Sequence, residues 1–453
     1  MSKKATDNNK PDFSEFDNWR KESRWEEHTS QEDIARRNIE LLLNRDAWSK
    51  EVTAFETELN KIADEKERER KRNEFEIYFD SHKFTYEETK YLQQEFDFSK
   101  YLFPCAVSFI KVKFYDYSII FSEAIFKGNV SFDGAIFGYN SVNFCKTNFG
   151  KNRVSFEGTE FGKRGVEFTG AIFKGGYISF SRAEFKGQFK FTPDKENSTI
   201  KNADFDDLEV GGNLTINADF NGEATFQRLD VKGSANFSGC KFEQVPNFRD
   251  MNLNRPPEVA GMEVPPEKLE MNFNPLAKYS GDKDDVTKYR KLKSMAIAAS
   301  DHIKSGEFFA YEMMAKRGVE TKGQFALLLD HFYGLLSGYG QSYKRPLIWL
   351  GGFWTFFAFI NLLTVLKQLN LFEGLFFAAR LSLHNLIPFI SSLARFVSSP
   401  DKYTSGFQTT MNSLESGGVN IGVLTLFGMT QQFIGAILLF LLLLGLRNKF
   451  RLK

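Results

Sequence analysis

The sequence predicts a chain in parts: a helical N-terminal region (1–100), a central stacked-repeat solenoid (101–255), a linker with juxtamembrane helices (256–343) and a C-terminal α-helical membrane domain (344–453). Three observations carry this reading. Phenylalanine recurs through the middle of the chain at a beat of mostly five then seven residues, two long uncharged apolar segments lie near the C-terminus, and an apolar seam of helical spacing precedes the repeats.

In the N-terminal region, Trp48, Val52, Phe55, Leu59 and Ile62 form the a/d seam of a coiled coil or helical hairpin, and Ser30-Gln-Glu-Asp33 approximates a capping box ahead of it. The following residues 63–76 are dense in Glu, Lys and Arg. The expected role is a solvated helix covering the N-terminal end of the solenoid, because an open β end invites edge pairing; helix-mediated oligomerisation is the alternative. Met1 to Asp12 is polar and lacks the apolar stretch of a secretory signal, so residues ahead of the first span are expected to stay in the cytoplasm.

Fourteen phenylalanines run from Phe109 to Phe185, each two positions after an Ala, Val, Ile or Thr. The inward set read from this beat is Phe109, Phe114, Phe126, Phe132, Phe137, Phe144, Phe149, Phe156, Phe161, Phe168, Phe173, Phe180 and Phe185, with Phe121 completing the fourteen. Turn-prone Gly, Asn, Asp, Lys and Ser lie between them. A unit of this size cannot bury its apolar face alone and stacks on copies of itself to share one core. Cys105, Cys145 and Cys240 are odd in number and far apart, and Cys240 takes a small inward position, so all three read as buried free thiols.

On the motif seen in Val107-Ser-Phe109, Ala124-Ile-Phe126 and Ala183-Glu-Phe185, residues 107 to about 253 resemble the pentapeptide-repeat family. The resemblance implies a right-handed quadrilateral β-helix with four short faces per coil, Phe or Leu stacked inside and the small residue beside it. The departure from a strict five suggests coils of about 24 residues with two-residue insertions at alternating corners. About six such coils would make a rod on the order of 30 Å long. The register blurs after Phe191, where residues 192–198 read as a loop, and resumes through Phe205, Phe220, Phe226, Phe237 and Phe242.

Arg255-Pro-Pro257 and Pro265-Pro266 mark the linker. Val286, Tyr289, Leu292, Met295, Ile303, Phe308, Tyr311 and Met314 then recur at near-helical spacing until Gly318, a suitable C-cap. The stretch from Tyr289 to His302, the stretch from Phe308 to Arg317, Tyr339-Gly-Gln-Ser342 with Arg345-Pro346, and the ending Leu446 to Leu452 resemble segments that accompany pentapeptide repeats joined to two C-terminal membrane spans in bacterial proteins.

Pro346 to Val365 and Ile421 to Leu446 carry no charge and are each long enough to cross about 30 Å of hydrocarbon as a helix. Lys344 and Arg345 precede the first; Arg447, Lys449, Arg451 and Lys453 follow the second. The positive-inside rule therefore places both termini in the cytoplasm and the protein in the inner (cytoplasmic) membrane. Between the spans, Leu371 to Ile390 is largely apolar, with Arg380 and His384 on one helix face. It reads either as an amphipathic helix on the outer membrane surface or as a re-entrant helix dipping toward a pore. The plan is similar to that of two-span channels, although Leu386 to Leu393 lacks the glycines of a potassium filter. Gly338-Tyr339-Gly340 precedes the first span, so it reads as a juxtamembrane turn with Tyr339 at the headgroup level. Thr425, Thr430, Gln431 and Gln432 in the second span are costly in lipid and face a partner helix or water.

No catalytic, cofactor or metal site emerges. The five histidines are scattered, phosphate-binding and nucleophile-elbow motifs are missing, and Asp206-Asp207 reads as a solvated corner. The near balance of 59 basic and 58 acidic residues argues against nucleic-acid binding. The expectation is a non-enzymatic protein with the lipid bilayer, further copies of itself and a protein docked on the solenoid as partners. Its solenoid would sense or dock that partner, and its membrane domain would form an oligomeric, channel-like assembly with Arg380, His384, Gln431 and Gln432 at the pore. A static membrane scaffold is the alternative. A gyrase-binding DNA mimic, known among soluble pentapeptide-repeat proteins, is disfavoured because residues 101–255 carry 19 Lys plus Arg against 18 Asp plus Glu.

Overall fold

A computed structural model describes residues 42, 44–74, 76–78, 95–115, 117–265, 283–366, 370–386 and 421–450. They fall into two compact units, one holding the N-terminal helices, the solenoid and residues 287–305, the other holding residues from Gly306 onward.

The solenoid winds through about seven turns of parallel β-structure. One eight-stranded sheet stacks Glu76–Tyr78, Ala106–Ser108, Val130–Ser131, Val154–Ser155, Tyr177–Ser179, Ile200–Asp204, Asp219–Thr225 and Lys241–Phe242. Two seven-stranded sheets accompany it, and a shorter line of bridges runs through Ile125, Asn148 and Ile172. Pairing extends past both edges of the expected 101–255 segment: Glu76–Tyr78 and Glu95–Asp97 join at one end, and Lys241 bridges Glu263 at the other. Val130 sits opposite Val154 and Val154 opposite Ile178, the 24-residue coil expected. After the 192–198 loop the coil tightens, placing Ala203 opposite Ala224 and Val210 opposite Val231.

Because each coil repeats the last in register, the inward rings fall into columns. Phe109, Phe132 and Phe156 stack with centroids 4.9 and 5.0 Å apart, and Phe180, Phe205, Phe226 and Phe248 continue the line. A second column joins Phe114, Phe137, Phe161 and Phe185; others run through Phe121, Phe144 and Phe168 and through Phe126, Phe149 and Phe173. The named phenylalanines are at most 1% exposed. Tight corners explain some glycines: a Cβ on Gly176 would lie 1.8 Å from the Asn152 carbonyl oxygen.

The N-terminal seam packs within the chain. Helix α1 (Arg45–Leu59) is capped by Asn44, whose side chain accepts from Ala47 N at 3.1 Å, and it buries Trp48, Val52, Phe55 and Leu59. Trp48 Nε1 donates to Leu102 O at 3.0 Å, and its ring lies 5.4 Å from that of Phe103. Ile62 lies beyond the helix and is half-buried, so the stripe that reads as a coiled coil is a docking face for the first turns. Helix α2 (Glu65–Glu74) returns Arg72 to Glu56, which also receives Lys127 at 2.9 Å, while Arg72 donates to Pro104 O. Ser30 to Asp33 lies outside the described residues.

The helical stretch before Gly318 is two helices, α3 (Lys283–Ala298) and α4 (His302–Ala315). The chain breaks where Ser300 takes φ 56°, Asp301 N donates to Ala296 O, and Asp301 Oδ1 accepts from Lys304 N. Helix α5 (Gln324–Ser337) follows and ends on the left-handed Gly338.

The two expected spans are helices: α6 (Lys344–Val365) and α8 (Ile421–Phe450), with α7 (Leu371–Leu386) between them. Both α6 and α8 are long and apolar enough to cross a membrane, yet only 17% and 28% of their most apolar windows are buried. A core helix of a soluble protein would be mostly covered. Phe356, Phe359, Phe433 and Phe440 instead stand more than half exposed.

Candidate functional site

Helix α7 folds back along α6. Trp354, midway along α6, donates from Nε1 to Ala379 O at 3.2 Å, and Ser382 Oγ donates to Trp354 O at 2.9 Å. Helix α8 closes on the same point, where Gln431 Nε2 donates to Ser382 O at 2.8 Å and to Ser382 Oγ at 2.6 Å. Below this polar knot, Leu350, Leu386 and Leu438 form one cluster. Small residues allow the approach, since a Cβ on Gly435 would lie 2.0 Å from the Leu386 carbonyl oxygen.

The four pore candidates separate. Gln431 is fully buried and bonded within its own chain, with Oε1 lacking a partner among the described residues. Gln432, the next residue, is exposed, and Thr430, also exposed, donates back to Leu426 O at 2.9 Å. On α7, Arg380 is exposed and His384 half-buried, four residues apart and off the face that carries Ser382 and Asn385. The side chain of Thr425 and the segment from Ile387 to Ile390 lie outside what is described. The sequence reading missed Trp354 and Ser382; their only signal is polar groups at mid-depth of apolar helices.

A second cluster stands just ahead of α6. Arg317 bonds the Asp330 carboxylate and the Tyr339 hydroxyl, and Tyr339 Oη donates to Asp330 Oδ2 at 3.0 Å. Tyr339 is 1% exposed, its ring covered by protein. Gly338, Tyr339 and Gly340 are all left-handed, at φ 58°, 58° and 76°. They form the turn the sequence suggests, but the triad pulls the phenol inward. Burial, with the neighbouring Asp330 carboxylate, pushes the Tyr339 hydroxyl well above its ordinary value. For Arg317, burial acts to lower the value, and the bond to Asp330 with the nearby Tyr339 outweighs it. Asn448 Nδ2 donates to Gly340 O at 3.0 Å, tying the end of α8 to the turn. Asp330, the one acid in the apolar run of α5, was the signal for this cluster in the sequence.

On the solenoid, the Asp206-Asp207 corner is bonded into the ladder and is no merely solvated pair. Asp207 pairs with Arg228, and Asp206 Oδ1 accepts from Thr225 Oγ1 and Gln227 N. Cys105 and Cys240 are buried and Cys145 is half-buried, all as free thiols. Burial pushes the Cys240 thiol up to about 12. Among the described residues no group of three His, Cys, Asp or Glu side chains is placed to hold a metal ion.

Comparison with family models, with curated proteins and with solved structures gives no match to this chain.

Proposed function

We propose that this is a membrane-anchored pentapeptide-repeat protein whose right-handed, quadrilateral solenoid senses or docks a protein on the cytoplasmic side. Its membrane helices assemble with further copies into a channel-like, non-enzymatic domain of the inner membrane, with both termini in the cytoplasm. The observation that carries this reading is the fold-back of α7 between two exposed apolar helices, held at mid-depth by the Trp354, Ser382 and Gln431 contacts. Such polar contacts favour a helix that re-enters the bilayer over one lying on its outer surface. An oligomer is required because so few helices cannot enclose an aqueous path. Arg380 and His384 lie off the packed face of α7, and at a lumen shared between copies their charge would favour anions. One observation supports the scaffold alternative: Gln431 spends its amide on Ser382 inside the chain, as structural glue would.

The test is conductance of the purified protein in planar bilayers. The channel reading expects discrete currents whose anion preference falls in Arg380→Ala and His384→Ala. Silence from a folded oligomer, or unchanged selectivity in both variants, leaves the scaffold.

A further inference from the structure

We infer that α5 is a third membrane-contact element, an amphipathic helix lying in the bilayer interface with Phe325, Leu328, Leu329 and Phe332 against lipid. The inference rests on the two-span reading. These four residues recur at offsets 0, 3, 4 and 7, one helix face, and stand 72%, 39%, 53% and 49% exposed. The opposite face buries Leu327, Asp330, Gly334 and Ser337. The helix is thus inverted relative to a water-facing one: its carboxylate points inward and its large apolar side chains point out.

Packing prevents α5 from rolling to hide that face. Asp330 is held by Arg317 and Tyr339, Ser337 Oγ accepts from Gly340 N at 3.0 Å, and Arg345 Nη1 donates to Gly334 O at 3.0 Å. A lipid occupant follows from continuity with the spans. Leu336, near the end of α5, packs against the Leu350, Leu386 and Leu438 cluster between the membrane helices, and Leu347 and Ile348 on α6 are 55% and 71% exposed. Tyr343, Lys344, Arg345 and Lys449 gather at the junction, with Lys449 Nζ 4.4 Å from the Tyr343 ring centroid, the residue types that sit at a headgroup boundary. An interfacial helix buries its apolar face about 5–10 Å into the headgroup and acyl boundary, a depth these side chains can reach.

Spin labels on the full chain in nanodiscs test this, introduced singly as Phe325→Cys, Leu329→Cys and Phe332→Cys in a Cys145→Ser background, with Ile348→Cys as the span control and Lys163→Cys as the water control. Each replaces an exposed side chain, so folding is preserved. Oxygen, which partitions into lipid, should gain access over a water-soluble nickel complex at all three α5 sites, to a ratio between those of the two controls. Water-like ratios on α5 with a lipid-like Ile348 would overturn the inference and leave the spans standing; water-like ratios at Ile348 as well would overturn both. Exclusion of both reagents from α5 would mean a protein covers the face, a second copy or another partner, and would also refute lipid contact.

Discussion

Replacing Phe156 by Ala removes an interior ring, the third of seven, from the longest column. Phe156 is fully buried, stacked 5.0 Å from Phe132 on one side and 5.0 Å from Phe180 on the other, with edge contacts to Phe144 and Phe168 at 5.5 Å. Loss of roughly 150 Å² of buried apolar area costs about 4 kcal/mol at about 25 cal/mol per Å². The severed ring pairs add to this, and partial collapse subtracts, giving about 4–5 kcal/mol. Phe242→Ala, which among the described residues stacks on Phe220 alone and meets Phe226 and Phe248 edge-on at 6.4 Å, should cost about 3 kcal/mol. Hydrogen exchange on the intact chain in detergent resolves the effect coil by coil. Because each coil rests on its neighbours, Phe156→Ala should deprotect Val130–Ser131 and Tyr177–Ser179 along with its own turn, leaving Lys241–Phe242 slow. A cost below about 2 kcal/mol, or a uniform loss across all coils, would refute the stacked-column account.

Other outcomes follow from the same contacts. Burial alone would raise the Glu56 carboxyl, but hydrogen bonds from Arg72 and Lys127 hold it below the ordinary 4.5; its stabilisation of the α1–α2 cap is therefore present above that value and lost as pH falls through the lowered one. Trp48 emission should report release of the cap in acid, and Glu56→Gln should already be weakened at neutral pH; identical titrations would contradict this. Gly435→Ala forces α8 off the Leu386 carbonyl and should lower the melting temperature in detergent by several degrees, whereas Gly351→Ala, with open space around it, should leave it unchanged. A maleimide at pH 8 should modify half-buried Cys145 first, and Cys240, its thiol pushed up to about 12, only after unfolding.

The solenoid was legible because its signal is local: a ring two positions after a small or β-branched residue, repeated in register, is both the sequence pattern and the packing unit. The two spans were legible from length and absence of charge. What escaped depends on contacts distant in sequence. Glu76–Tyr78 and Glu95–Asp97 carry too little of the beat to read as repeats, yet they pair with Ala106–Ser108 and Ser118–Ile120. The fate of the α1 seam was ambiguous because a stripe that fits another helix fits the end of a solenoid equally well. The placement of α7 turns on Trp354 and Gln431 meeting Ser382 from 28 and 49 residues away, a meeting no periodicity encodes. The burial of Tyr339 escaped because aromatic residues beside spans commonly mark the interface, while here Arg317 and Asp330 bond the hydroxyl inside the protein.

Anchorage by α6 and α8 underlies every functional statement above, and alkaline carbonate extraction of membranes from cells expressing the full chain tests it most directly. The account predicts that the protein stays in the carbonate-washed pellet and moves to the supernatant only with detergent. Recovery in the carbonate supernatant would contradict it.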